Sequence, residues 1–238
     1  MAQVINTNVA ALFAGSALNR SNAALQTAQQ RLSSGLRINS AKDDATGLGI
    51  ATNFDAKVRG ANMYIRNAND GISAAQTNDG YLAQITENTQ RLREIFIQTK
   101  AVTNDEAKAL IAENTRISGL VTADTAVTVD ENGKTAGGAG TTFTAAATFA
   151  NLSAFDTELT AINNARAKFG ADMAGLSSAV ATLQTASVNY SASFSRVMDT
   201  DYAAETAAQA KNNILQQAGM AVLAQANQNP QSVLTLLR

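Results

Sequence analysis

At 238 residues and a formal net charge of -1, the chain has room for one or two domains and no global basic surface for nucleic acid. It contains no His, Cys or Trp, which removes disulfides, thiolate chemistry, the commonest general base and the best metal ligands, so no enzyme, cofactor or metal site is expected. A single proline, Pro230, in an Ala-rich chain with 5% aromatics suits long helices packed through small residues better than a bulky globular core.

Charge is placed unevenly. Residues 1–42 hold Arg20, Arg31, Arg37 and Lys42 but no acid, and residues beyond Glu205 hold only Lys211 and Arg238. The segment 43–205 carries 12 basic against 19 acidic residues. Solvated helices normally present charge to water, so two arms this poor in charge are expected to be covered on most sides. No run of apolar residues is long enough for a membrane span, and no signal-peptide pattern begins the chain.

In residues 1–34, Val4, Ala11, Leu18, Leu25 and Leu32 recur every seven residues, with Thr7, Ala14, Ser21 and Ala28 in the alternate slot. This is a coiled-coil seam with one large and one small row. The next stretch, Arg31 to Ala45, is a helix–loop–helix joint. Gly35 stops the first helix, Ser40 is an N-cap with Asp43 as its capping-box partner, and Asp43 and Asp44 sit in the first turn of the second helix. That helix runs to about Lys100 through Ala51, Phe54, Val58, Ala61, Ile65, Ala68, Ile72 and Ala75. It changes phase near Asp79 and resumes through Leu82, Ile85, Leu92 and Phe96. The period overrides the turn-like Asp70-Gly71 and Asp79-Gly80 pairs, giving roughly 85 Å of helix. Asn104, Asp105 and Glu106 open a further helix to about Ser118.

The texture then changes. Val127-Thr128-Val129 ahead of Asn132-Gly133 reads as a hairpin, followed by a Gly-rich linker over 136–140. Helix returns from Asp156 to Phe194. A last helix runs from Tyr202 to about Gln228, with a stripe of Ala204, Ala208, Leu215, Ala218 and Val222, and Pro230 stops it ahead of the apolar tail Val233, Leu234, Leu236 and Leu237. The fold class is therefore mainly α: a long helical coiled-coil or bundle rod with a small β-hairpin mid-chain. Residues 1–42 and 196–238 form a terminal coiled-coil domain, and 43–195 form a helical rod with a hairpin and loop region at about 121–155.

Three chemical motifs fail on inspection. Gly47-Leu48-Gly49 lacks the third glycine of a dinucleotide fingerprint and any preceding strand. Asp43 and Asp44 are adjacent helical residues that point apart, so they suit capping better than metal binding. Asp199 and Asp201 near Arg196 read as cap and ion-pair residues. Arg91 and Ile95, four apart, put an Arg beside an apolar residue, a pairing common at interfaces.

Taken together, the chain resembles the bacterial flagellins. The likeness lies in Asn6-Thr7-Asn8, in Arg31–Ala45, in Gly47-Leu48-Gly49-Ile50-Ala51, in Arg66–Gly71, in Ser195–Asp199, in Ile214–Gly219, in Leu223–Asn227 and in Leu236-Leu237-Arg238. It covers about residues 1–118 and 160–238. The resemblance implies a structural subunit that polymerises with itself into an extracellular swimming filament. The termini would form an inner, channel-lining coiled coil whose assembly seams use Val4, Ala11, Leu18, Leu25, Leu32, Leu215, Ala218, Val222, Leu234 and Leu237. It also implies export through the flagellar apparatus without a cleaved signal, a secretion chaperone, and contact with filament cap and junction proteins. A further implied partner is the host's flagellin-sensing toll-like receptor, at Gln90, Arg91, Leu92, Arg93, Glu94, Ile95 and Glu113. Two departures stand out: only about residues 121–155 occupy the place of large variable domains, and Asp172-Met173 stand where the family often has Asn-Arg. The alternatives are a hook–filament junction protein and a secreted helical adhesin or scaffold.

Overall fold

The computed structural model describes residues 7–122, 126–129, 134–138 and 142–236, with side chains through residue 228. Val4, the Asn132-Gly133 turn and Leu237 lie outside the described residues, and Leu234 is described in its backbone only. Five helices and one two-stranded hairpin follow in order: α1 (Val9–Ser34), α2 (Ala45–Thr99), α3 (Asp105–Ser118), β1 (Val127–Thr128), β2 (Thr135–Ala136), α4 (Leu152–Met198) and α5 (Tyr202–Leu236). The chain divides into two compact units, one of Met1–Phe54 with Ala192–Arg238 and one of Asp55–Ser191.

In the first unit α1 packs along α5. Ala14, Leu25 and Ala28 are the buried residues of α1, with Ala11, Leu18, Ser21 and Leu32 half-buried, so both expected heptad rows face α5. On α5 the phase differs from the expected stripe. The covered positions are Glu205, Gln209, Asn212, Asn213, Gln216, Gly219, Leu223 and Ala226; of the expected stripe Ala208 is half-buried, while Ala204, Leu215, Ala218 and Val222 are exposed. Small and amide side chains permit the closer approach: a Cβ on Gly219 would lie 3.3 Å from Leu18. The more apolar face of α5, which periodicity selected, thus points away from α1.

Pro230 does not stop α5, which continues to Leu236. Proline leaves the carbonyl four residues earlier without its helical donor. That carbonyl, on Ala226, accepts instead from Asn8 Nδ2 at 2.8 Å.

The second unit has its core between α2, α3, α4 and the irregular segment after the hairpin. Leu82, Ile85, Ile117, Val121, Phe143, Ile162 and Phe169 form one cluster. Leu92, Ile95, Ala107, Phe149 and Phe155 form another, in which the Phe149 and Phe155 rings stack at 4.2 Å. The heptads of α2 do not change phase at Asp79. Ala61, Ala68, Ala75, Leu82 and Thr89 are buried in one row, and Gly71, Asn78, Ile85 and Leu92 in the other. Two core slots hold polar residues, and hydrogen bonds make their burial tolerable. Asn78 Nδ2 donates to the Thr122 carbonyl at 3.1 Å, and Thr89 Oγ1 accepts from Asn114 Nδ2 at 3.3 Å.

Asp70-Gly71 and Asp79-Gly80 are helical, as the period required. At Gly71 a Cβ would come within 3.0 Å of Val127 and 3.1 Å of Leu176, so the glycine lets the hairpin close onto the helices. Asp79 pairs with Arg166 at 2.7 Å. In the hairpin, Val127 faces Ala136 and Thr128 faces Thr135, antiparallel. Asn104 caps α3 by accepting from Ala107 N, with Asp105 and Glu106 in the first turn.

Candidate functional site

The Arg31–Ala45 string forms a joint in the first unit. Gly35 ends α1 in the left-handed region (φ 72°), and its N–H donates to the Arg31 carbonyl at 2.8 Å. Ser34 Oγ accepts from the Leu36 N–H and from Asn39 Nδ2. Asp43 turns back on the loop: one carboxylate oxygen accepts from the N–H groups of Asn39 and Ser40 and from the Ser40 hydroxyl, at 3.0–3.1 Å. The Asn39 N–H, and then the Ser40 hydroxyl, hold the Asp43 carboxyl below its ordinary value. The capping assignment therefore shifts. Asp44, not Ser40, caps α2, accepting from Gly47 N at 2.8 Å, and both aspartates precede the helix rather than lying in its first turn. Gly47 is confined by this cap, since a Cβ there would collide with the Asp44 carboxylate and Ile38.

A second segment, 197–202, clasps this joint. Arg37 N donates to the Met198 carbonyl at 2.6 Å and Thr200 N to the Gly35 carbonyl at 3.0 Å. Arg37 Nη2 reaches the Val197 carbonyl at 2.8 Å, and the Tyr202 hydroxyl reaches the Leu32 carbonyl at 3.2 Å. Beneath lie Ile38, Ala51 and Met198, flanked by Leu36, Leu48, Phe194 and Val197. Asp201 begins α5 by accepting from Ala203 N and Ala204 N, as a cap should. The pairing of the two joints across the chain was not anticipated from sequence, because Ser195–Thr200 gives no strand signal on its own.

Outside the seam, both arms expose large apolar side chains. Phe13 is 70% exposed, Leu12 66%, Ile214 66% and Val222 58%, and Val9, Leu215 and Met220 are also exposed. Arg31 pairs with Glu205 across the seam at 3.6 Å.

In the second unit, the seven residues of the implied receptor contact separate into two sets. Gln90, Arg91 and Glu94 are exposed, and Arg93 and Glu113 are half-buried. Leu92 and Ile95 are 0% and 3% exposed and belong to the core with Phe149 and Phe155, so they lie behind the surface rather than on it. The apolar neighbour that spacing gave to Arg91 is a core residue. Arg91 is instead bracketed by Glu106 at 2.9 Å and Glu94 at 3.1 Å, and these partners raise its already high pKa. Glu113 pairs with Arg116 at 2.7 Å, which holds its carboxyl below the ordinary value. Among the described residues there is no cluster of carboxylates able to hold a metal ion, and no helix is long and apolar enough to cross a membrane.

Comparison with known proteins gives two family matches. Residues 5–135 match the bacterial flagellin N-terminal helical region, and residues 152–237 match the bacterial flagellin C-terminal helical region. A flagellin of Salmonella typhimurium (strain LT2) is 55% identical over 107 residues, covering 45% of this chain and 22% of its own length. Flagellins of Escherichia coli O127:H6 and Shigella flexneri are each 48% identical over 128 residues, covering 50% of this chain and 23% of their own length. The aligned part therefore spans about a quarter of the length of these curated relatives.

Proposed function

The chain belongs to the bacterial flagellin family, and from that premise we propose that it is a structural subunit that polymerises into an extracellular swimming filament. The observation that carries the reading is the exposure of large apolar side chains on both paired arms, Val9, Leu12 and Phe13 on α1 with Ile214, Leu215, Met220 and Val222 on α5. Burying one such side chain against another copy is worth about 1.5–3 kcal/mol. Several per subunit, repeated around an axis, suffice to drive assembly. The clasped joint fixes where each arm starts, so every copy presents the same surface. Ala11, Leu18, Leu25 and Leu32 hold the arms to each other, and Leu215, Ala218 and Val222 meet neighbouring copies, with Val4, Leu234 and Leu237 extending those seams. In this reading the arms line the filament channel, and the protein acts as building material, not as a catalyst. The two matched helical regions support a filament subunit over a junction protein or an adhesin.

The same reading includes passage through the flagellar export apparatus without a cleaved signal, escort by a secretion chaperone, and contact with cap and junction proteins. It includes recognition of a surface of the exposed Gln90, Arg91 and Glu94 with the half-buried Arg93 and Glu113 by the flagellin-sensing toll-like receptor of hosts, with Leu92 and Ile95 supporting that surface from inside. The test is assembly: purified protein, seeded with sheared filament fragments and imaged in negative stain, is expected to give long filaments. Particles or short rods under all seeding conditions would overturn the reading.

A further inference from the structure

In the second unit three buried polar side chains, Asn88 and Thr89 of α2 and Asn114 of α3, meet between the two helices. Asn88 Nδ2 donates to Asn114 Oδ1 at 2.8 Å, and Asn114 Nδ2 donates to Thr89 Oγ1 at 3.3 Å. Gln84 Nε2 donates in turn to Asn88 Oδ1 at 3.2 Å. Asn114 thus uses both ends of its amide on α2. The fourth buried polar side chain of this region, Ser118, turns its hydroxyl back to the Thr115 carbonyl of its own helix.

On either side of Asn114 the inner stripe of α3 is apolar, with Ala107, Leu110 and Ile111 before it and Ile117 after it. On α2, Ile85 and Leu92 flank Asn88 and Thr89 in the same way. Apolar contacts that recur every turn do not fix register, because they bury similar area if α3 slides by one turn, about 5.4 Å. The polar contacts do. A one-turn slide would bring Ile111 or Ile117 against Asn88 and Thr89, strand their polar atoms and set the Asn114 amide among apolar side chains, each at the cost of desolvation without a partner. Buried polar groups add little stability over well-packed apolar ones, and fixing register is their best-attested use. We infer that Asn88, Thr89 and Asn114 lock the register of α3 on α2 and are thereby the positioning residues of the exposed pair in which Glu106 of α3 meets Arg91 of α2 at 2.9 Å. A one-turn slide would carry Glu106 out of reach of Arg91. The lock holds whether or not that face meets a receptor, and its test uses none.

The chain has no cysteine, so Gln76→Cys on α2 and Ala109→Cys on α3, both exposed positions, carry nitroxide labels at those two sites alone. Asn78 of α2 already lies against Thr122, beyond the C-terminal end of α3, so the two labels are well separated along the axis and a slide of α3 registers almost in full. Dipolar spectroscopy on the full-length monomer is expected to give one narrow distance. Asn88→Leu/Thr89→Val/Asn114→Leu replaces the whole network by apolar side chains of the same branching. It is expected to melt at or above the native midpoint while a second distance appears, displaced by about 5 Å. Thr89→Ser keeps the acceptor and should keep the single distance. Ile117→Val, a truncation in the adjoining core, should lower the melt and also keep the single distance. One unshifted distance in the triple variant would overturn the inference. So would a triple variant that fails to fold, since the network would then carry stability rather than register, or a split distance in Ile117→Val, since register would then follow apolar packing.

Discussion

Asn8 and Ala226 stand 218 residues apart in the chain, and the side-chain amide of the first donates to the carbonyl of the second at 2.8 Å. The same side chain accepts from Ala11 N at 3.1 Å and so caps α1. One residue thus begins the first helix and supplies the donor that Pro230 denies the last one.

This double use predicts coupling. Asn8→Ala removes a cap worth ~1 kcal/mol and leaves the Ala226 carbonyl without its donor, ~1 kcal/mol more. Pro230→Ala restores a backbone N–H for that carbonyl. In thermal melts followed by circular dichroism, Asn8→Ala should therefore cost about 1 kcal/mol less in the Pro230→Ala background than in the native one. Additive costs would show that the two residues act independently.

The joint tolerates no side chain at Gly47. Gly47→Ala forces a Cβ into the Asp44 carboxylate and Ile38, overpacking that costs ~1–3 kcal/mol and also dislodges the α2 cap. Gly35→Ala meets only the Tyr202 hydroxyl, at 3.4 Å, but must hold φ 72°, a strain of ~1–2 kcal/mol for a residue with a Cβ. Both should lower the melting temperature, and Gly47→Ala should further expose the Ile38–Met198 cluster to the dye 8-anilinonaphthalene-1-sulfonate. A Gly47→Ala protein as stable as the native one would remove the cap from the account.

Glu158 is 9% exposed and accepts from Ala146 N at 3.0 Å, which ties the irregular segment to α4. Burial pushes its carboxyl above the ordinary 4.5, against the pull of that N–H. The folded chain thus holds the Glu158 proton more tightly than the unfolded chain does. Its contribution favours folding most below pH 4.5 and is lost as pH rises through the raised value. Glu158→Gln keeps an oxygen for Ala146 and removes the charge. It should raise the melting temperature at pH 7, and the gain should shrink on acidification below pH 4.5. A gain equal at both pH values would contradict the burial argument.

Arg91 is exposed, and Glu94 and Glu106 hold its guanidinium; in the proposed reading it anchors receptor recognition. Arg91→Ala should lower receptor signalling by monomer at least tenfold, the mark of a hot-spot arginine, without changing the melt. Leu92→Ala and Ile95→Ala should act differently, lowering stability by ~2–5 kcal/mol as core truncations. Signalling unchanged by Arg91→Ala would count against this surface.

Much of this was legible in the sequence. The α1 heptads, the Asn104 cap and the helix through Asp70-Gly71 follow from period and capping chemistry. What periodicity misjudged was the meaning of apolar and polar residues at particular sites. Asn78 and Thr89 looked like a break in phase because their burial depends on Thr122 and Asn114, partners that no local pattern reveals. Leu215 and Val222 looked like the seam with α1 because apolar residues usually face the nearest partner. Here the nearest partner takes Asn212, Gln216 and Gly219, which pack closer. Pro230 looked like a stop because its replacement donor comes from Asn8, at the other end of the chain. Phe143 and Phe149 went unnoticed in a segment read only as part of the hairpin and loop region, although three of the chain's eight Phe fall between residues 143 and 155.

The central claim is that the outward face of the arms joins copies of the chain, and Leu215→Asp tests it most directly. Leu215 is 44% exposed in the single chain, so an aspartate there stays solvated and should leave the monomer's helicity and melt unchanged. In a filament the same charge would be buried unpaired against a neighbour, which is costly. Seeded growth measured by sedimentation and negative stain should therefore fall to background in Leu215→Asp while the monomer remains folded. Filaments of normal length and heat stability from Leu215→Asp would contradict the account.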